Sequence, residues 1–328
     1  MTLVCMGCWQ RIIIARLLEN DIKGKTIYCM EKINKIRSAM QQIGIPATDI
    51  QYLASGDDSD TFLCNQMYVA KIPKYRETEI AQEKEFSLYK FLAKQKMSFC
   101  IPKVMYKSRQ INIMSFLSGN SISYGDYLKL SQKEKESLAM DEAQFLKELH
   151  RIQIDISNPL FCSSIENKYQ EYLQDYTDLC RILKDSNELS VPLQRKIDLI
   201  YSNLLSNREM FQYEHCLVHN DFSSDNMVFR NSRLYGVIDF GDYVVGDPDN
   251  DFLCILDNSK DDFGKDFGRR VLYYYGHPAP EKAERKAEIN DEYWAVQQVL
   301  FGNSRKDAGL FQKGIYHLSF IDPYTFIF

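Results

Sequence analysis

No stretch of this chain approaches the roughly 18 uninterrupted apolar residues that a membrane span needs. The most apolar early segment, residues 9–18, is broken by Arg11 and Arg16, and no small-residue cleavage site follows it. Neither a span nor a secretory signal is therefore expected, and the cytoplasm is the default. Basic excess is lacking too. The net charge is −5, which argues against nucleic acid as a partner, because its phosphates attract basic surfaces. The nine cysteines have neither an even count nor zinc-site spacing, the pattern of reduced thiols and not of a disulfide framework. Cys5 and Cys8 are the one close pair, without a strand–helix context around them. Internal repeats and low-complexity segments are also missing.

At 328 residues the chain exceeds what one compact core usually supports, so two lobes are expected. Its 45% hydrophobic and 26% charged residues suit a globular protein. Segment 217–252 organises the rest. It carries His219, Asp221 and Asn226 in one run, then Asp239-Phe240-Gly241 on the end of an apolar run, then Gly246-Asp247-Pro248-Asp249. A carboxylate, an amide five residues on and a second carboxylate thirteen residues later follow the order of kinase-type phosphoryl-transfer sites: a base, then two metal ligands.

A helical pattern over 33–43, ended by Gly44 and Pro46, opens the first lobe. Residues 1–29 before it differ in character, and Met30 reads as a second beginning. The extension is expected to be either dispensable or a short amphipathic helix docked on the first lobe. Short β-type runs follow at 50–53, 61–64 and 67–72, with Asn65-Gln66 as a tight hairpin. In the third run Val69 and Lys71 share one face, while Tyr68, Ala70 and Ile72 share the other. A helix over 79–94 puts Glu85 in line with Leu88 and Leu92, and an acid on a core stripe wants a buried partner. Runs at 101–106 and 111–116 complete a five-stranded sheet, and Gly119 marks the crossing to a second, largely helical lobe. There Ser131 and Glu134 form a capping box before a helix reaching about residue 151. Further helices are expected at 168–184, 192–207, 262–275, 281–300 and 305–318. Another should start with Asp247 as N-cap and Pro248 in its first position.

Phosphoryl transfer asks chiefly for positioning and charge neutralisation. Asp221 is the candidate that positions an acceptor hydroxyl. Asn226 and Asp239 are oxygen ligands of the kind Mg²⁺ takes beside nucleotide phosphates, and His219 is expected to brace the loop. Lys71 and Glu85 match the ion pair that holds the α- and β-phosphates of ATP or GTP. The loop 55–60 has a single glycine, so it is neither a repeated-glycine kinase loop nor a Walker loop. Ser55, Gly56 and Ser59 have amides and hydroxyls to offer phosphates, yet three acids share the loop, and an ordinary hairpin remains the alternative. Backbone groups of Ser115 and Leu117 fall where a lobe hinge would pair with a purine edge; a buried edge strand fits the same residues. Between residues 239 and 268 nine acids (239, 242, 247, 249, 251, 257, 261, 262, 266) face two lysines, a local balance of −7. Asp257 falls near a helix C-terminus, where negative charge is unfavourable. A wall for a polycation, closed by Asp291 beside Trp294, competes here with a merely solvated acidic face.

The runs His219–Asn226, Ile238–Asp242 and Gly246–Phe252, with residues 55–64 and Asn290–Trp294, resemble the aminoglycoside phosphotransferases, most closely the 2″-phosphotransferases that inactivate gentamicin, kanamycin and tobramycin. The likeness runs from about Met30 to the C-terminus. It implies an α+β, two-lobed, protein-kinase-like fold: a small five-stranded antiparallel N-lobe over 30–118 that binds nucleotide, and a larger, mainly helical C-lobe over 119–328. It also implies Mg²⁺-dependent transfer of a γ-phosphate to a 2″-hydroxyl, with Asp221 as base and Asn226 and Asp239 as metal ligands. Lys71, Glu85 and Ile238 fall on the nucleotide side. Ser223, Asp242, Asp257, Asp261, Asp291 and Trp294 fall on the antibiotic side. A monomer without membrane or nucleic-acid partners is expected. The same chemistry on choline or methylthioribose is the alternative, and a protein kinase is disfavoured because no Arg follows His219 and no Ala-Pro-Glu segment follows Asp239-Phe240-Gly241.

Overall fold

The computed structural model describes residues 22–55, 59–257 and 262–328. It opens with helix α1 (Ile22–Gln42), followed by β1 (Ile50–Ser55), β2 (Ser59–Cys64), β3 (Tyr68–Pro73), α2 (Arg76–Leu92), β4 (Val104–Lys107) and β5 (Asn112–Ser115). The strands form one antiparallel sheet in the order β1-β2-β3-β5-β4. Asn65 and Gln66 both take left-handed backbone (φ 52° and 56°), closing the β2–β3 turn with the Met67 amide on the Cys64 carbonyl at 3.1 Å.

Strand alternation sets the two faces of this sheet. Ala70 and Ile72 of β3 pack with Phe62, Cys64 and Ile113 against Ile36, Ala39 and Met40 of α1. Burying a side chain the size of Ile36 or Met40 is worth about 1.5–3 kcal/mol, so the helix is held by its apolar stripe. It starts earlier than position 33 and runs unbroken through Met30. The apolar pattern does not mark this earlier start because the stripe that meets the sheet begins only near Ile36. On α2, Glu85, Leu88 and Leu92 are all buried in line.

The remainder comprises α3 (Tyr124–Lys129), α4 (Gln132–His150), α5 (Pro159–Cys162), α6 (Lys168–Asp185), α7 (Val191–Ser206), β6 (Cys216–Val218), β7 (Met227–Arg230), β8 (Arg233–Val237), β9 (Val244–Gly246), α8 (Asn250–Leu256), α9 (Lys265–Tyr275), α10 (Pro280–Ser304) and α11 (Ala308–Phe320). This is the two-lobed α+β architecture expected. The Ser131–Glu134 capping box is present at the start of α4. One core joins α2, α4, α8 and α9 with the β7–β8 hairpin, and a second joins α6, α7, α10 and α11. At the crossing between lobes, a Cβ on Gly119 would meet the Phe229 carbonyl oxygen at 2.7 Å. Glycine lets the chain lie flat there, and Asn120 exchanges backbone hydrogen bonds with Phe229 at 2.8 and 2.9 Å.

Asp247 is not the cap of α8. The helix starts at Asn250, with Asp249 before it and no side-chain cap bond. Asp247 and Asp249 instead close on the buried ammonium of Lys286 from α10, and Asp249 also meets His277 at 2.7 Å. A buried lysine left unpaired costs more than a lost helix cap, so the tertiary partner wins. No helix among the described residues is long and apolar enough to cross a membrane.

Candidate active site

β6 pairs antiparallel with β9 and leads into residues 219–226, a loop that ends at the β7–β8 hairpin. Asn220 takes φ +66°, a conformation asparagine tolerates better than most residues. The loop is held from below by Asp251, in the first turn of α8. Its fully buried carboxylate accepts from the His219 amide at 3.0 Å and the Asn220 amide at 2.7 Å, and meets His150 Nε2 at 3.0 Å. His219 is buried with both ring nitrogens engaged. The Asp221 amide donates to Nδ1 at 3.3 Å, and Nε2 donates to the Ile238 carbonyl at 2.9 Å. A ring so tied braces the backbone and has no free edge for proton transfer.

Asn226 donates through its side-chain amide to the Asp221 carbonyl at 2.9 Å and to Asp221 Oδ2 at 2.8 Å. That fixes the direction of the amide and leaves Asn226 Oδ1 buried without a hydrogen-bond partner among the described residues. Asp239 holds a left-handed backbone (φ 62°), and its amide donates to the Tyr89 hydroxyl at 2.9 Å. Its Oδ1 meets Lys71 Nζ at 3.0 Å, while the same amine lies 3.2 and 3.4 Å from the two Glu85 oxygens. The strained backbone at Asp239, about 1–3 kcal/mol, is offset by these bonds. Phe240, fully buried, sits between the His219 ring at 4.4 Å and the Tyr89 ring at 5.7 Å, so α2 and the catalytic loop share one packing contact.

Burial weakens the hold of Lys71 on its proton, but Asp239 and Glu85 outweigh it and keep the amine charged well above the ordinary lysine range. Burial, followed by the Asp242 carboxylate, pushes the Asp221 carboxyl up to about 8; Asp239 and Asp262 add to this and the Asn226 bond opposes it. So many carboxylates around Asp221 favour a further cation. The orphaned Asn226 Oδ1 and the Asp239 carboxylate are the hard oxygen donors Mg²⁺ prefers, and the residues fit such an ion. No group of three His, Cys, Asp or Glu side chains that would hold a metal by itself occurs among the described residues.

Next to these groups is a cavity of about 350 Å³, lined by Leu53, Val69, Met114, Leu117 and Ile238, with Lys71 and Asp239 in its wall. That is within the usual range for a small-molecule site. Two residues expected to contact the nucleotide also bond within the chain. The Ser115 amide donates to the Lys103 carbonyl at 2.8 Å and its hydroxyl accepts from the Lys103 amide at 2.9 Å, so that amide is taken up within the chain. The Ser55 hydroxyl donates to Asp60 Oδ1 at 2.7 Å, and Asp60 is ion-paired with Lys32 of α1; the acid is neutralised, but at the expense of that hydroxyl. Ser59 is buried at the start of β2. Gly56 and the acids 57 and 58 lie outside the described residues.

Part of the acidic wall turns inward. Asp247 and Asp249 are buried against Lys286, Asp251 anchors the catalytic loop, and Asp262 is buried with the Ser224 amide donating to it at 2.7 Å. Four of the nine acids thus serve the fold. Local sequence could not separate them from surface acids, because each of these partners is at least 28 residues away. Asp257 ends α8 as its C-cap residue, and Asp261 lies outside the described residues. Asp291, on α10, is held above the ordinary carboxylate range by desolvation and by the nearby Asp257 and Glu292 carboxylates. Trp294 is one turn further along α10, its ring 6.2 Å from that of Phe301. Ser223 is buried within the loop, its amide on the Asp221 carbonyl at 3.0 Å, and Asp242 is exposed. Sequence reading missed Tyr89, Asp251 and Asp262. Of these, only Asp251 carried a signal: three acids in five residues exceed what one helix N-terminus uses.

Residues 49–286 match a profile described as the phosphotransferase enzyme family. Among solved structures, the gentamicin–APH(2″)-IIa complex is 51% identical, with a TM-score of 0.86 over 95% of this chain and 100% of that one. ADP-bound aminoglycoside phosphotransferase APH(2″)-Ib is also 51% identical, with a TM-score of 0.85 over 92% and 99%. The streptomycin–ATP–APH(2″)-IIa ternary complex is 49% identical, with a TM-score of 0.86 over 95% and 100%.

Proposed function

Because the chain belongs to the phosphotransferase enzyme family, we propose that it transfers the γ-phosphate of ATP or GTP to the 2″-hydroxyl of an aminoglycoside, conferring resistance to it. The observation that carries this reading is the meeting of Lys71, Asp221, Asn226 and Asp239, from three separate segments, beside a cavity of ligand size. The solved relatives bind gentamicin, streptomycin, ATP and ADP.

In this mechanism Lys71, held by Glu85, grips the α- and β-phosphates. Asn226 Oδ1 and Asp239 would hold Mg²⁺, which when bound neutralises charge on the phosphates. Asn226 occupies Asp221 Oδ2, so the remaining oxygen of Asp221 faces the acceptor hydroxyl and takes its proton. The new O–P bond forms as the bond from the γ-phosphorus to the bridging oxygen breaks, and the nucleoside diphosphate leaves. Asp257, Asp261 and Asp291, with Trp294, Ser223 and Asp242, are assigned to the aminoglycoside, whose ammonium groups acids attract more strongly where water is partly excluded. Nucleotide binding belongs to the lobe 30–118 and acceptor binding to 119–328. The enzyme is placed in the cytoplasm and acts as a monomer, without nucleic acid or membrane partners.

The test is a nucleotide-consumption assay with gentamicin, choline and methylthioribose in parallel, followed by mapping of the phosphate on the product. Consumption only with gentamicin and phosphate at the 2″ position is expected. Turnover of choline or methylthioribose in preference would replace the reading with the small-substrate kinase.

A further inference from the structure

Thr61 of β2 stands directly opposite Lys71 of β3 in the sheet. Paired residues of neighbouring strands project to the same face, and Thr61 lines the cavity with Lys71, Val69 and Asp239. The residue is fully buried, and its hydroxyl Oγ1 has no hydrogen-bond partner among the described residues. Packing gives no reason for a hydroxyl here. Leu63, two residues on and on the same face, is apolar, and a valine would fill the volume of Thr61 without leaving a polar atom unsatisfied.

Position along the strand says which part of a ligand this hydroxyl meets. The hinge end of the cavity is marked by Tyr68, which pairs with Ser115, and Lys71 lies three residues further along β3. At about 3.3 Å per residue, Thr61 is roughly 10 Å from the hinge, past the reach of a purine ring held there. It stands next to the amine that faces Asp239. A hydroxyl is a donor, and phosphate oxygens are pure acceptors.

We propose that Thr61 is a nucleotide-binding residue whose hydroxyl donates to the phosphate arm of the bound nucleotide, alongside Lys71. This rests on the reading of the cavity as the nucleoside triphosphate site. It adds a neutral donor to the charged grip of Lys71, supplied by the strand and not by the loop before it.

The test is calorimetric titration of the full-length protein with ADP and Mg²⁺, and separately with adenosine. Thr61→Val should weaken ADP about tenfold and change adenosine less than about twofold, because a hydrogen bond to a charged acceptor is lost only with the former. Thr61→Ser should restore most of the ADP affinity. The ligand-free melting temperature of Thr61→Val should stay level or rise, since an unsatisfied buried hydroxyl is removed, whereas a structural hydroxyl would make it fall. Should Thr61→Val not fold, Thr61→Ala serves the same comparison of ADP with adenosine. Unchanged ADP affinity, or equal losses for ADP and adenosine, overturns the phosphate contact while leaving the nucleotide site intact. A wild-type protein that binds neither ADP nor GDP sinks the nucleotide reading itself, and this inference with it.

Discussion

Replacing Asp251 by alanine tests whether the catalytic loop owes its shape to one buried carboxylate. The side chain is fully buried and accepts two backbone amides, from His219 and Asn220, at 3.0 and 2.7 Å, with His150 Nε2 at 3.0 Å as a third partner. Removing one partner from a buried charged network costs about 3–5 kcal/mol, because the amides are left without acceptors in a place water does not reach. For a chain of this size that is a fall in melting temperature of roughly 6–20 °C at about 2–4 °C per kcal/mol. Function should suffer separately. Asp221 is one residue beyond the second anchored amide, and a displacement of about 1 Å in a reacting group costs about 10²-fold in rate. The cavity walls at Lys71, Met114 and Leu117 belong to other elements, so the Michaelis constant for nucleotide should change by no more than about threefold. Steady-state kinetics at a temperature well below melting, with thermal unfolding in parallel, separates the two effects. A variant that melts early but keeps the wild-type kcat would falsify the claim that Asp251 positions the loop.

Four further outcomes are expected. Asp221→Ala should lower kcat by about 10²-fold or more with nucleotide affinity nearly intact; unchanged turnover removes Asp221 from its role. Neutralising Asp257 and Asp291 together to asparagine should raise the Michaelis constant of the aminoglycoside far more than that of the nucleotide, and equal effects on both count against an acidic acceptor wall. Glu142 of α4 is fully buried, neither of its carboxylate oxygens has a partner among the described residues, and burial, aided by Asp262 and Asp141, holds its pKa well above the usual value. The folded state therefore keeps a proton that the unfolded chain releases above its ordinary carboxylate pKa, so this group erodes stability as pH rises. Glu142→Gln should accordingly raise the melting temperature more at pH 8 than at pH 5, and an equal shift at both would contradict the assignment. Finally, a chain beginning at Met30 should keep its activity, because Lys32, Ile36, Ala39 and Met40, which tie α1 to the sheet and to Asp60, all follow that point; loss of folding would show that the earlier residues are needed.

The parts that short-range chemistry specifies were legible in the residues alone. Period-two alternation placed Lys71 on the cavity face of β3 and Ala70 on the α1 face, the stripe on α2 announced a buried Glu85, and the spacing of Asp221, Asn226 and Asp239 singled out the candidate groups before any of them had a position. Tertiary structure decided which acids are free to meet a ligand. Asp247, Asp249, Asp251 and Asp262 look in sequence like members of one acidic face. They turn inward because Lys286, the His219 and Asn220 amides, and the Ser224 amide meet them in the interior. The same holds for the Ser55 hydroxyl, which donates to Asp60. The physical reason is one of range. Backbone propensity and side-chain period act over a few residues and are written locally, whereas satisfying a buried charge or amide depends on whatever distant segment the fold brings within about 3 Å.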